Sequence, residues 1–182
     1  MKELSLNVLD ITKNSTKAGA TLIVIHIIES DERLVISIKD NGRGMDEETV
    51  RTVTDPFYTT RTTRKVGMGI PLFKLAAEQT GGYIDIKSVT KESNAVSHGT
   101  EVTATFNKKH IDFTPLGDII STVQLLVQGD PNVDFVYIHE KNSSRVELDT
   151  RDLREILEDV PLDSFEVIGW IGDNLKEQYD SF

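Results

Sequence analysis

Asp10 and Asn14 stand four residues apart in a stretch whose Leu4, Val8, Ile11 and Ser15 recur at helical spacing. On a helix that spacing stacks the two polar side chains on one face. A carboxylate and an amide oxygen so placed suit a hard cation that keeps several of its waters, as magnesium does beside phosphates. Lys17, one turn beyond Asn14, adds a point charge within reach of a phosphate. The same residues also fit an ordinary solvated helix face.

Three further segments carry chemistry of the same kind. Asp40-Asn41-Gly42-Arg43-Gly44-Met45 follows an apolar alternating run, so its Asp falls at a strand end, where a carboxylate can accept from an exocyclic amine. The glycines on either side of Arg43 allow close backbone approach to a ligand. Lys65-Val66-Gly67-Met68-Gly69-Ile70 opens a helical pattern, and the unpaired N–H groups of a helix start form an anion site. His98-Gly99-Thr100 leads into a strand from which the Thr hydroxyl can reach toward a base. Each segment alone has a plain structural reading as a turn or a helix start.

The elements that must hold these residues follow from the periodicities. Residues 4–18 read as an amphipathic helix stopped at Ala18-Gly19-Ala20, and 21–28 with 34–38 read as an antiparallel hairpin. Asp46-Glu47-Glu48 starts a short helix, and residues 54–66 form a long loop rich in Thr and basic residues. A helix from Gly69 ends at Gly81-Gly82, and 83–89 pairs with 100–106. Beyond 107 the expectation is a helix at 116–128, strands at 134–139 and 145–148, and helices at 150–158 and 164–179. Leu116, Ile119, Ile120, Val123, Leu126 and Val127 read as core rather than docking face, and Trp170 reads as packed.

In this order and spacing the four segments resemble the GHKL (Bergerat-fold) ATPase superfamily, specifically its histidine kinase-like ATP-binding domain. Asn14-Ser15-Thr16-Lys17-Ala18-Gly19-Ala20-Thr21 is similar to the MutL form of the N box, and Asp40–Met45 to the G1 box. Asp55-Pro56-Phe57-Tyr58-Thr59-Thr60-Arg61 is similar to the F box of kinases of the nitrogen-regulator type. Gly67-Met68-Gly69-Ile70 is similar to the G2 box. The likeness spans residues 1–106 and implies an α+β fold, a two-layer α/β sandwich whose mixed or antiparallel sheet is covered by helices on one face. Residues 107–182 would be a smaller C-terminal α+β appendage that binds a partner.

The resemblance also implies roles. Asn14 would coordinate Mg²⁺, Asp40 would accept the adenine amine, and Thr100 would support the water around the base. Gly42, Gly44 and Met45 would shape the adenine side, and the backbone of Gly67, Met68, Gly69 and Ile70 would meet the ATP phosphates. Lys17 and Lys65 would neutralise charge, and residues 52–66, with Phe57, would form the lid. Asp10 occupies the place of the general-base Glu in hydrolysing relatives; its side chain is one methylene shorter but ionises in the same range. Pro71 replaces the last glycine of the kinase G2 box, which a first helical turn tolerates.

Composition narrows the functional classes. A net charge of −10 repels phosphate backbones, so nucleic acid is not the expected partner, whereas ATP can still be held by local amides and cations. The chain has no cysteine, which excludes disulfides and thiolate metal sites. No apolar run reaches membrane-spanning length and no secretory signal is evident, so a cytoplasmic location is expected. None of His26, His98, His110 and His139 sits in a dimerising helical pattern, and no phosphoacceptor hairpin is expected before the N box. What the resemblance then implies first is a Mg²⁺- and ATP-dependent kinase that phosphorylates a protein partner in trans, on His or on Ser or Thr. The alternatives are a slow MutL-type ATPase and a non-hydrolysing ATP sensor, and a homodimer is left open.

Overall fold

The computed structural model describes residues 3–54 and 69–182. Helix α1 (Leu4–Lys17) leads into a hairpin of β1 (Leu22–Glu29) and β2 (Arg33–Asp40), followed by α2 (Glu47–Thr52). Then come α3 (Gly69–Gln79), β3 (Tyr83–Val89) and β4 (Gly99–Asn107). The remainder comprises α4 (Ile119–Gly129), β5 (Asp134–Lys141), β6 (Ser144–Asp149), α5 (Thr150–Leu157) and α6 (Phe165–Asp180).

The six strands form one sheet in the order β3-β4-β2-β1-β5-β6. Only β1 and β5 run parallel; the other neighbours are antiparallel. Alternation sets the faces. Ile25 opposite Ile38 and Ile27 opposite Ile36 point to one side, and Val102, Ala104 and Phe106 of β4 and Phe135 and Tyr137 of β5 join them in the core. Helices α1, α3, α4 and α6 cover that face with Val8 and Ile11, Phe73 and Ala77, Val123 and Leu126, and Ile171 and Leu175. Phe73 and Phe106 meet with ring centroids 5.6 Å apart in a tilted pair, which adds about 0.5–1.5 kcal/mol to their burial.

The mixed sheet with helices on one face is the α+β sandwich expected from sequence. Residues after 107 continue that sheet, since β5 adds directly onto β1 and α4 packs on α1. Two local expectations differ. Helix α4 begins at Ile119 rather than 116, because Gly117 turns with φ +78° and Asp118 caps the helix by accepting from the Ser121 amide at 2.9 Å. Trp170 does not pack into the core but stays 50% exposed, while its neighbour Ile171 is buried. Among the described residues no helix is long and apolar enough to cross a membrane.

Candidate functional site

The alternation that buries Ile36 and Ile38 carries on to Asp40, so the last residue of β2 turns its carboxylate inward and is only 8% exposed. A buried carboxylate needs hydrogen-bond partners. Ser15, on the inward face of α1, donates its hydroxyl to Oδ2 at 2.6 Å. The Gly42 and Thr100 amides donate to Oδ1 at 2.8 and 3.2 Å. Oδ1 is thereby filled, whereas Oδ2 holds one donor and retains capacity for a second.

The turn after Asp40 is tied on every side. Asn41 accepts from the Thr21 and Leu22 amides at 2.8 and 3.0 Å and donates to the Thr21 hydroxyl at 2.9 Å. The Arg43 amide donates to the Ala18 carbonyl at 3.0 Å, which pins the turn to the end of α1. Gly44 has φ +72°, and a Cβ there would overlap the Val89 carbonyl oxygen. The Met45 amide donates to Ser88 Oγ at 2.7 Å, and the Ser88 and Thr100 hydroxyls share a bond of 2.8 Å. His98 reaches the Gly42 carbonyl through Nδ1 at 2.6 Å, and since a carbonyl can only accept, Nδ1 carries the proton.

Helix α3 starts against the polar face of α1. A Cβ at Gly69 would lie 3.3 Å from Asn14 Nδ2 and 3.3 Å from Asp10 Cβ, a tight contact that would push these side chains back by a few tenths of an ångström, so the glycine brings the backbone close to both. In the first turn of α3 the Gly69 and Ile70 N–H groups have no intrahelical acceptor, and Pro71, next in line, has no N–H to leave unpaired. Asp10 and Lys17 are exposed and Asn14 is half-buried, while the Ile70 side chain points into the core at 8% exposure. The structure therefore gathers Asp10, Asn14 and Gly69 at one point. Asp40, Gly42, Gly44, Met45 and Thr100 are gathered at another, and the C-terminal half of α1 links the two. Phe57, Lys65, Gly67, Met68 and residues 55–66 of the expected lid lie outside the described residues.

No cluster of three His, Asp or Glu side chains capable of holding a metal occurs among the described residues. A cation at this site would thus depend on Asn14 together with ligand oxygens and water. His26 pairs with Glu140 at 3.2 Å, and the buried His139 contacts Glu29 and Tyr179 at 3.2 and 2.7 Å, both away from the pocket. Three supporting residues escaped the sequence-based site. Ser15 had a signal, being a polar residue on the apolar stripe of α1. Ser88 and His98 had none, because their partners depend on the β3–β4 register and on a loop closing over Gly42.

The description "Histidine kinase-, DNA gyrase B-, and HSP90-like ATPase" fits residues 1–110 of the chain. Sensor protein SrrB of Staphylococcus aureus is 37% identical over 93 residues, covering 48% of this chain and 16% of that protein. The chain spans 11–16% of the length of the curated relatives it matches. Among solved structures, the Aquifex aeolicus MutL ATPase domain complexed with ADP superposes with a TM-score of 0.54 at 15% identity, over 87% of this chain and 70% of that one. The N-terminal domain of a DNA repair protein gives 0.56 at 15% identity, over 82% and 53%. These two likenesses establish the Bergerat-type fold. With the likeness covering more than half of its residues, the chain belongs to the histidine kinase-, DNA gyrase B- and HSP90-like ATPase family.

Proposed function

We propose that this chain binds Mg²⁺–ATP between α1, the turn after β2 and the start of α3, and passes the terminal phosphoryl group to a partner protein. The observation that carries this reading is the pairing of a buried, immobilised acceptor at Asp40 with a helix N-terminus brought against Asp10 and Asn14. The donor set fits the nucleotide. Asp40 Oδ2 keeps a free acceptor direction for the adenine amine, with the Thr100 hydroxyl beside it. The first-turn amides of α3, including Gly69, suit phosphate oxygens, and the Asn14 amide oxygen suits a hard cation. Lys17 supplies positive charge on the same helix, and Phe57, Lys65, Gly67 and Met68 are assigned to the lid. When bound, Mg²⁺ neutralises charge on the transferring phosphate, while positioning falls to the protein.

The position of Asp10 favours a second reading, slow hydrolysis. Its exposed carboxylate stands beside Gly69, where it could take a proton from water. Calorimetric titration with ATP and a non-hydrolysable analogue, with and without Mg²⁺, followed by a phosphate-release assay, separates the readings. Saturable Mg²⁺-dependent binding without release supports transfer in trans or sensing, and steady release supports hydrolysis. Asn14→Ala is expected to abolish the Mg²⁺-dependent part of the affinity. Equal affinity in that variant, with and without Mg²⁺, is the expected result; a Mg²⁺ dependence as large as that of wild type would remove Asn14 from the site.

A further inference from the structure

At the sheet edge opposite β3, an open cavity of about 380 Å³ lies between α5, α6 and β6. Its apolar lining includes Val136, Ile138, Ile156 and Trp170, and its polar lining holds Glu147, Asp149 and Asp152 with one cation, Arg145. Ile156 is 76% and Trp170 50% exposed, so two large apolar side chains stand open to solvent beside one groove. Charge is concentrated in the same region. From β6 to the end, residues 144–182 hold eleven acidic and four basic side chains, so this stretch carries −7 of the net −10.

Three of those four cations are already committed. Arg145 pairs with Glu140 and Glu147 at 2.8 and 2.7 Å, Arg151 with Asp149 at 2.6 Å, and Arg154 with Asp134 at 2.7 Å. Among the described residues no ion pair involves Asp152, Glu155 or Asp173. The backbone of the edge strand is closed as well. Gln178 accepts from the Glu147 amide at 2.8 Å and donates to the Glu147 carbonyl at 3.0 Å, and is itself held by Asn174 at 2.8 Å. An incoming strand cannot add at the middle of β6 without displacing this amide, so the groove is left to read side chains.

We propose that this groove docks a basic amphipathic helix of a partner protein, with apolar side chains on Trp170 and Ile156 and lysines or arginines facing Asp152 and the uncompensated acids of α5 and α6. The surface is separate from the nucleotide pocket, so its test does not depend on ATP binding.

The full chain is titrated with a synthetic Leu/Lys amphipathic helix and, in parallel, with its Leu/Glu counterpart. Trp170 is the chain's only tryptophan and reports occupancy by fluorescence. The expected result is a saturable blue shift with the Leu/Lys peptide alone. Affinity should fall about tenfold or more in Ile156→Asp and in Asp152→Lys, and stay unchanged in Glu92→Lys, in the loop after the opposite edge strand. Circular dichroism checks that each variant folds, and Asp152→Lys decides if Ile156→Asp does not. Equal binding by wild type and Asp152→Lys, or by the two peptides, overturns the proposal. So does a concentration-dependent blue shift without peptide, which would make a second copy of the chain the occupant.

Discussion

Asp40→Asn is the most informative change because the structure specifies what each amide atom must do. The Gly42 and Thr100 amides both point at Oδ1, so that position must stay an oxygen. The new NH₂ is then forced to the Oδ2 position, where the Ser15 hydroxyl can rotate to accept from it. The fold therefore survives, with charge-assisted bonds of about 1.5–3 kcal/mol each reduced to about 0.5–1.5. A loss of about 1–3 kcal/mol follows, which lowers the melting temperature of a chain this size by about 2–12 °C. In the pocket the consequence is sharper. The adenine amine would meet a donor instead of an acceptor, at a cost of about 1–3 kcal/mol, or about 5- to 150-fold in affinity. Inosine triphosphate, with a carbonyl in place of that amine, should lose less or gain. Calorimetry with both nucleotides, alongside thermal melts, measures all of this. An Asp40→Asn variant that melts as expected yet binds ATP as tightly as wild type, with no shift toward inosine triphosphate, would refute adenine recognition by Asp40.

Other outcomes follow from the same geometry. Asp10→Asn should leave ATP binding intact and lower any phosphate release by about 100-fold or more, the usual weight of a general base; retained turnover in a release assay would exclude that role. Gly44→Ala should cost more than about 2 kcal/mol in urea unfolding, since a left-handed backbone and an overlap with the Val89 carbonyl add together. Gly81→Ala, with a similar φ of +75° but open space around the new methyl, should cost only about 1–2 kcal/mol, the left-handed backbone alone, and equal losses at the two sites would contradict the argument. Burial pushes the His139 imidazole below its ordinary value, against the opposing pull of Glu29. Its neutral form thus stabilises the fold fully above about pH 6.5, and that contribution fades as pH falls toward the lowered value. Unfolding measured at pH 7.5 and 5.5 should show a shallower loss in His139→Gln than in wild type.

The fold was legible because its strands announce themselves. The β-branched run of β1 and the alternation of β2 leave no helical alternative, and the capped or glycine-stopped helices fall within a few residues of expectation. What escaped was where a local signal competes with a better one nearby. The apolar pattern at Leu116 invited an early start to α4, but Gly117 and the Asp118 cap overrule it. Trp170 and Ile171 are equally apolar, but Ile171 shares the buried stripe of α6 with Val167 and Leu175 at a spacing of four, and Trp170 lies off that stripe.

The candidate site was legible at its proposed contact residues and silent at those that hold them in place, for a physical reason. A residue proposed to meet a ligand must have a particular functional group at a particular spacing, and Asp10, Asn14, Asp40 and Gly44, the contacts proposed above, carry such groups at readable spacings. A residue that holds another in place needs only a donor at the right distance, which many side chains supply. Ser88 serves the Met45 amide and the Thr100 hydroxyl only because β3 pairs with β4 in one register; a slip by one residue would turn it to the opposite face. Ser15 is the intermediate case. A hydroxyl on an otherwise apolar stripe demands a buried partner, so the sequence alone implies that an acceptor waits opposite α1, and the last inward-facing residue of β2 is that acceptor.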